Sequence, residues 1–403
     1  MNRSGASSLI RYTMAAAMAA LVSAGGVMPA LANSADFVRN LWPEAQRAGV
    51  SRQAFDASFA SYSPIPQVME LTRKQPEFTQ TVQQYVDRRV TAAQASKGQA
   101  MRAEWAQTLA GAQQRWGVQP EIVLAIWGME TNFGGFMGGN NTIHALATLT
   151  ENGYRESFFR KELVTALRIV SDGHIAPGSM VGSWAGAMGH TQFMPSSFMS
   201  YAVDYNGDGK KDIWNSVPDA LGSTANYLKS FNWRPGETWG YEIKLPNGFN
   251  FAAARGMERA PLSQWQAMGI TRVSGRPFPR ATDIARLYMP AGATGPAFLL
   301  LPNFDVIKRY NNSDSYALAV GHLADRIIGG GSFATPWPTG DYALSKAQRG
   351  ELQALLGRAG YDVGTPDGVI GPKTRAGVIA FQQSRGLPAD GHVSGLLLDR
   401  LKR

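Results

Sequence analysis

The sequence predicts an α+β protein that is mostly helical. Amphipathic helical patterns dominate residues 36–233, short strand-like stretches separated by glycine and proline fill residues 241–301, and a helical pattern returns over residues 315–328. With 403 residues and an apolar fraction of 44%, the chain is long enough for two or three compact units with their own cores. We therefore expect a helical domain with a small β-containing insertion, followed by a further small unit.

The first 32 residues differ from the rest of the chain. Arg3 and Arg11 precede an apolar run rich in alanine and glycine, which ends in Ala30-Leu31-Ala32. This pattern predicts a secretory signal peptide, residues 1–32, cleaved after Ala32. An uncleaved membrane anchor is the alternative, and the shortness of the run disfavours it. The chain has no cysteine, which excludes disulfides and a lipoprotein anchor, so we expect a periplasmic protein.

The formal net charge of +9 suits an anionic polymer as partner. Secretion and the lack of Lys/Arg runs interleaved with aromatic residues argue against nucleic acid and leave the cell wall. The five histidines form no i, i+4 pair, and no G-x-S-x-G elbow follows a strand. The sequence therefore gives no support for a zinc peptidase or a serine hydrolase.

A Gly/Pro-rich stretch, residues 329–342, divides a large unit, residues 33–328, from a small one, residues 343–403. We expect it to be a flexible linker. The small unit contains a faint duplication, in which the Asp-Gly turn at 367–368 is echoed at 390–391 and each turn precedes a helical pattern. The predicted core of this unit consists of Leu352, Leu355, Val378, Phe381 and Leu397. The candidates for exposed residues that contact a ligand are Arg375, Gln382 and Arg385.

The stretch "AIWGMETNFGG" places Glu130 at the end of an apolar run. Pro120 suits the first turn of a helix, and the pair Gly134-Gly135 suits its end. A carboxyl group near a helix C-terminus, among apolar and aromatic side chains, keeps its proton at higher pH than usual. A protonated carboxyl near neutral pH can protonate the leaving oxygen of a glycosidic bond. The alternative is a glutamate that merely ends a helix in water.

Two further stretches carry polar groups in suggestive patterns. "GSWAGAMGHTQFMPSS" combines small residues with Ser183 and Gln192, which offer neutral hydrogen bonds suited to a sugar, although tight helix packing would also explain it. "VDYNGDGKKDIW" alternates oxygen ligands as in an EF-hand-like calcium loop, with a metal-free Asx-rich turn as the alternative. The candidate metal ligands of this loop are Asp204, Asn206, Asp208, Lys210 and Asp212.

Together with "KRYNNSDSYALAV", these motifs resemble, in order and spacing, the lytic murein transglycosylase B family over residues 36–328. The resemblance implies a lysozyme-like catalytic domain that cleaves the bond between N-acetylmuramic acid and N-acetylglucosamine in peptidoglycan. It implies that Glu130 acts first as acid and then as base, and that the product carries a 1,6-anhydro ring. It also implies sugar contacts from Ser183, Gln192, Tyr310 and Asn311.

The same resemblance implies a structural calcium ion with Asp219 as a later ligand, and no cofactor for the chemistry. Residues 344–402 resemble the small three-helix peptidoglycan-binding domain of envelope hydrolases. We expect a monomer whose partners are peptidoglycan strands and, as candidates, other cell-wall enzymes. Two alternatives stay open at this point: a muramidase that uses water, which needs a second carboxylate or a positioned water, and a catalytically silent peptidoglycan-binding scaffold.

Overall fold

The computed structural model describes residues 34–73 and 80–403, so the predicted signal peptide, residues 1–32, lies outside the described residues. None of the helices in these two ranges is both long and apolar enough to cross a membrane. The helices of the described ranges are α1 (Ser34–Arg47), α2 (Arg52–Phe59), α3 (Pro66–Arg73), α4 (Val82–Arg89), α5 (Ala92–Glu104), α6 (Ala106–Trp116), α7 (Pro120–Thr131), α8 (Thr142–Glu151), α9 (Glu156–Ser171), α10 (Pro195–Tyr201), α11 (Val217–Ser230), α12 (Phe251–Gly256), α13 (Leu262–Ala267), α14 (Pro302–Tyr310), α15 (Asp314–Ile327), α16 (Lys346–Arg358), α17 (Pro372–Ser384) and α18 (Gly395–Leu401). The strands are β1 (Asn140–Asn141), β2 (Val181–Gly182), β3 (Gly240–Lys244), β4 (Ala260–Pro261), β5 (Thr271–Arg272), β6 (Ile284–Tyr288) and β7 (Ala297–Leu300).

Helix α7 lies at the centre of the helical body, packed against α5, α6, α11 and α15. It is apolar on all sides, which is typical of a helix buried in a larger core. It begins at Pro120 as predicted, but the glycine pair does not end it. Asn132 does, in the left-handed conformation at φ 53°, a backbone region that asparagine tolerates better than most side chains.

The insertion is a five-stranded antiparallel sheet in the order β4-β6-β7-β3-β5, packed around its own apolar cluster. Trp265 is fully buried in that cluster. The sequence correctly predicts strands at β3, β5 and β6. Residues 248–251, inside the range 241–301 predicted to hold short strands, form no strand, because Asn250 caps helix α12 and its side chain accepts the Ala253 N–H at 3.0 Å.

The C-terminal unit is a three-helix module, α16 to α18, whose core contains the five predicted residues, with Leu355 only partly buried. Its duplication is structural. In the first turn, the side-chain amide of Gln353 donates to the Asp367 carboxylate, and its oxygen accepts the Gly368 N–H. In the second turn, the side chain of Gln382 makes the same pair of bonds with Asp390 and Gly391. Gln382 is therefore buried, and its prediction as an exposed contact residue is wrong.

The predicted flexible linker packs against the helical body and the insertion. Phe333 stacks on His322 with ring centroids 3.9 Å apart, and its edge meets Phe298 at 5.0 Å. The carboxylate of Glu242 on β3 accepts the N–H groups of residues 334 and 335 at 2.9 and 2.8 Å. The glycine and proline content predicts a flexible linker, but the Phe333 ring and the Glu242 carboxylate fix the backbone of this segment.

Two hydrogen bonds then join the C-terminal module to the insertion. The second carboxylate oxygen of Asp390 accepts the N–H of Ala293 at 2.7 Å, and the Arg255 guanidinium donates to the carbonyl of Ala389 at 2.7 Å. Only a residue without a side chain fits at Gly292, where an added Cβ would lie 2.7 Å from the Asp390 carboxylate. The module is thus held in one position by its second Asp-Gly turn.

Replacing Phe333 with alanine removes the ring that anchors the linker, which we expect to cost roughly 1–2 kcal/mol locally. Limited proteolysis in residues 329–342 should then become about tenfold faster. Val369→Ala, at an exposed site in the same C-terminal half, is the matched control and should leave the cleavage rate unchanged. Equal linker cleavage in Phe333→Ala and wild type would contradict the packed linker.

Candidate active site

Glu130 lies in the last turn of α7, two residues before the left-handed Asn132 that ends the helix. Its side chain is only partly exposed, while most of the preceding helix residues are buried. Burial raises the pKa of Glu130 to about 7, and a hydrogen bond from Tyr316 and the charge of Arg89 oppose that rise. The carboxyl group therefore exchanges its proton near neutral pH, as the sequence analysis expected of it.

Tyr316 is the direct partner of Glu130. It lies in the first turn of α15, where Ser313 caps the helix, and its hydroxyl donates to the carboxylate Oε1 at 2.6 Å. Burial raises the pKa of the Tyr316 phenol well above its usual value, and the nearby Glu130 carboxylate raises it further. The phenol therefore stays protonated and acts as a fixed hydrogen-bond donor.

Arg89 and Tyr85, on α4, form the opposite side of the site. The Arg89 guanidinium lies 5.2 Å from the centre of the Tyr85 ring. Its charge lowers the pKa of Glu130, and the Glu130 charge raises the pKa of Tyr85. Sequence analysis missed Tyr85, Arg89 and Tyr316, although Tyr316 lies inside the motif "KRYNNSDSYALAV".

The segment after α7 folds back tightly and fixes the helix end. Asn132, Phe133 and Gly134 all adopt positive φ, and Lys97 donates to the Asn132 carbonyl at 2.7 Å. An added Cβ at Gly134 would lie 2.4 Å from the ring of His190. The glycine is therefore required for close approach of a neighbouring side chain, rather than for ending the helix.

The side chains of His190 and Trp127 pack against this turn. The Trp127 indole N–H donates to Nδ1 of His190 at 3.0 Å, which places the proton of the neutral imidazole on Nε2. Burial lowers the pKa of His190, so the ring is neutral at pH 7. Trp127 is itself buried, so its ring has no open face on which a sugar could stack.

Ser183 and Gln192 shape the loops beside the segment that follows Glu130. The Ser183 hydroxyl accepts the N–H groups of residues 185 and 187 at 3.3 and 3.0 Å. The Gln192 amide donates to the carbonyls of Met137 and Gly189 at 3.0 and 2.9 Å. Gln192 adopts φ 51°, and its amide oxygen has no donor among the described residues. That oxygen is free to accept a hydrogen bond from a ligand.

Tyr310 is the last residue of α14, Asn311 follows it, and both lie in the same region. The Tyr310 hydroxyl donates to the carbonyl of Thr191 at 2.7 Å, and the Glu130 charge raises its pKa in addition to burial. The side-chain oxygens of Asn311 and Thr191 are buried without hydrogen-bond partners in the part of the chain described. Because these two oxygens have almost no solvent-accessible surface, a ligand could reach them only after neighbouring side chains move.

The acidic loop folds around its own carboxylates. Asp219 is fully buried, and it accepts the N–H groups of Tyr205, Asn206 and Asp212 at 2.9, 3.2 and 2.8 Å. The two carboxylate oxygens of Asp204 accept the N–H groups of residues 207, 208 and 209. Within residues 34–73 and 80–403, no group of three His, Cys, Asp or Glu side chains is arranged to hold a metal ion.

The donors at the start of the loop nevertheless suit a hard cation. Asp204, Asn206 and Asp208 turn towards one another, with the Asn206 amide 3.1 Å from the Asp208 carboxylate. Lys210 contributes a main-chain carbonyl at the next alternate position. Asp219 uses three of its roughly four acceptor positions on backbone N–H groups, so it anchors the loop at the start of α11.

Two protein-family models match the chain. Residues 33–325 match the transglycosylase SLT domain, and residues 345–401 match a peptidoglycan binding domain. Among curated proteins, the membrane-bound lytic murein transglycosylase B of Escherichia coli (strain K12) is 40% identical over 220 residues, which are 53% of this chain and 58% of that protein. The aligned part therefore spans less than two thirds of that relative.

Solved structures give broader coverage. The crystal structure of SltB3 from Pseudomonas aeruginosa in complex with NAG-anhNAM-pentapeptide is 46% identical, covers 92% of this chain and 99% of its own, and superposes with a TM-score of 0.84. The Escherichia coli lytic transglycosylase SLT35 in complex with calcium is 33% identical, covers 75% and 95%, and has a TM-score of 0.60. These matches confirm the predicted fold class: a mostly helical, lysozyme-like domain with a small sheet, followed by a helical C-terminal module.

Tyr316→Phe removes the hydrogen bond that favours the ionised form of Glu130. Because that bond lowers the pKa of Glu130, the half-titration point of the carboxyl should move up by roughly one pH unit. Carbon NMR of labelled glutamate, assigned against Glu130→Gln, measures it. Tyr310→Phe is the control, because the Tyr310 hydroxyl donates to a backbone carbonyl. A half-titration point that stays put or moves down in Tyr316→Phe would exclude this role.

Proposed function

The chain belongs to the transglycosylase SLT domain family, and from that premise we propose that it is a lytic transglycosylase that cleaves the MurNAc-β-1,4-GlcNAc bond of peptidoglycan and forms 1,6-anhydromuramic acid ends. The observation that carries the proposal is Glu130, a carboxyl group with a pKa of about 7 that accepts a hydrogen bond from the Tyr316 hydroxyl at 2.6 Å. The relatives SltB3, seen with an anhydro-sugar peptide, and SLT35 support the same activity.

In the first step, protonated Glu130 donates its proton to the glycosidic oxygen while the bond from that oxygen to C1 of the muramic residue breaks. The leaving N-acetylglucosamine keeps the oxygen as a hydroxyl group, and positive charge develops at C1. The carboxylate so formed is stabilised by the Tyr316 hydroxyl and by the charge of Arg89. The same two groups that oppose protonation in the resting site thus favour the charged state formed on bond cleavage.

In the second step, the C6 hydroxyl of the muramic residue attacks C1, and the Glu130 carboxylate takes the hydroxyl proton. One new C–O bond closes the anhydro ring, and Glu130 is protonated again for the next cycle. No water is consumed. We propose that Ser183, Gln192, Tyr310 and Asn311 position the sugar, because they lie on the segments beside the Glu130 site and the amide oxygen of Gln192 has no hydrogen-bond donor among the described residues.

The muramidase alternative requires a second carboxylate or a positioned water opposite Glu130. The strongest influences of other side chains on the pKa of Glu130 come from Tyr316 and Arg89, and neither is a carboxylate. No carboxylate is among these influences, so the nucleophile we propose is the C6 hydroxyl of the substrate. The scaffold alternative leaves unexplained why a carboxyl group is buried beside a hydrogen-bond donor.

Glu130→Gln cannot transfer a proton, so release of soluble products from purified sacculi should fall at least about a thousandfold. Mass spectrometry of wild-type products should show ends lighter by one water than hydrolytic ends. Glu121→Gln, in the first turn of the same helix, is the matched control and should stay active. Hydrated reducing ends would make the protein a muramidase, and full activity of Glu130→Gln would exclude an enzyme that uses this carboxyl group.

We further propose that the acidic loop binds a structural calcium ion through Asp204, Asn206, Asp208, the main-chain carbonyl of Lys210 and Asp212, with Asp219 holding the loop backbone. Alternate hard oxygen donors support this, as does the relative SLT35, which was solved with calcium. The ion would supply stability and take no part in the proton transfers, for which Glu130 suffices.

Calcium binding should raise the melting temperature by a few degrees at saturating Ca²⁺, and excess EDTA should reverse the rise. Asp204→Asn weakens the charge of the predicted site and should abolish the response, while Asp172→Asn, an exposed pair partner of Arg168, should retain it. A melting temperature indifferent to both EDTA and Ca²⁺ in the wild type would show that the loop is an Asx-rich turn without metal.

We propose that the protein works in the periplasm after cleavage of residues 1–32, as a monomer, with the units 33–328 and 343–403 acting as catalytic and polymer-binding domains joined by residues 329–342. Peptidoglycan strands are the substrate, and other cell-wall enzymes are candidate partners. The full chain carries a formal charge of +9, and residues 33–403, which lack Arg3 and Arg11, still carry +7. This charge supports attraction to an anionic wall, and no nucleic-acid partner is proposed.

A further inference from the structure

A cavity of about 300 Å³ lies between the helical body, the linker and the C-terminal module. The start of α4 and residues 290–291 form one side, Trp337 of the linker forms a second, and Arg349, Arg375 and His392 of the C-terminal module form the third. None of these residues belongs to the Glu130 site described above. The cavity lies at the small end of the usual range for ligand pockets, about 300–1,000 Å³.

The walls of this cavity hold a fixed relation to one another. Phe333 and Glu242 fasten the linker to the helical body and the insertion, and Asp390 fastens the module to the insertion through the Ala293 N–H. In the second of the duplicated turns, the second carboxylate oxygen of Asp390 makes the hydrogen bond to the Ala293 N–H that docks the module. A pocket between modules therefore has a defined shape before any ligand enters.

The lining of the cavity holds two arginines, Arg349 and Arg375, and one carboxylate, Asp341, which together give it a net positive charge. In the described part of the chain, neither Arg349 nor Arg375 has a carboxylate within ion-pair distance, and Arg349 is held by the carbonyls of Gly368 and Leu344 at 2.7 and 3.0 Å. The one acidic lining residue, Asp341, accepts the N–H groups of residues 342 and 396. Burial lowers the pKa of His392, so this ring adds no charge at pH 7.

We propose that this cavity binds an acidic peptide, the stem peptide of the peptidoglycan strand. The sugars of that polymer are neutral, and the free carboxylates of its stem peptides provide the anions that two arginines can recognise. Trp337 and the adjoining prolines offer an apolar face for the alanine side chains of the peptide. The proposal rests on the proposed function in one respect, namely that peptidoglycan is the polymer bound.

Binding of a sugar-free peptide tests this. The probe is a synthetic tetrapeptide of L-alanine, γ-linked D-glutamate, diaminopimelate and D-alanine, titrated by calorimetry into the mature chain, residues 33–403. Arg375→Ala should weaken binding at least about tenfold, whereas Arg349 is left intact because it supports the backbone of the module. Lys373→Ala is the matched control: it removes one positive charge from the same helix at an exposed ion pair, and should change affinity less than twofold.

Two further binding measurements distinguish recognition of the peptide carboxylates at this cavity from binding elsewhere. The same peptide with its carboxylates amidated should bind at least tenfold more weakly, and Glu130→Gln should bind the free peptide as the wild type does. Absence of peptide binding, equal affinity in Arg375→Ala, or equal affinity for the amidated peptide would each overturn the proposal. Failure of the proposed function is distinct, because it is read from the products released from sacculi and not from the affinity of a peptide without sugar.

Discussion

Burial of one carboxyl group is the constraint on which the site depends. The last turn of the apolar helix α7 holds Glu130 where the surrounding protein disfavours the charged form and raises its pKa to about 7. Tyr316 and Arg89 act in the opposite sense. The balance holds the pKa within the range in which a single group can give up a proton and take one back in the same catalytic cycle.

The elements around α7 maintain that balance by fixing geometry. The left-handed turn after the helix can form only because Gly134 admits the ring of His190, which is in turn oriented by Trp127. The fold also extends this rigidity beyond the catalytic domain. A stacked phenylalanine, Phe333, holds the linker, and the docking carboxylate of Asp390 holds the C-terminal module against the insertion, so the two units keep a set spacing.

Local patterns in the sequence predicted much of this architecture and not its long-range contacts. Glu130 was identifiable because an isolated acid at the end of an apolar helix is a local signal, and strands such as β3 followed from local composition. The Tyr316–Glu130 bond joins residues 186 positions apart, and it exists only because α15 packs on α7. The packing of the linker could not be predicted for a related reason. Its glycines and prolines indicate a flexible backbone, whereas its anchoring depends on His322, which lies in another element.

Thermodynamic linkage measures most directly whether burial holds the proton on Glu130. An unfolded glutamate titrates near pH 4.5 and the folded one near 7, so the folded state binds an extra proton between these values and loses stability as pH rises through them. Relative to wild type, Glu130→Gln should gain about 1–3 kcal/mol of unfolding free energy between pH 4.5 and 8. A difference that does not change over this range would contradict the account.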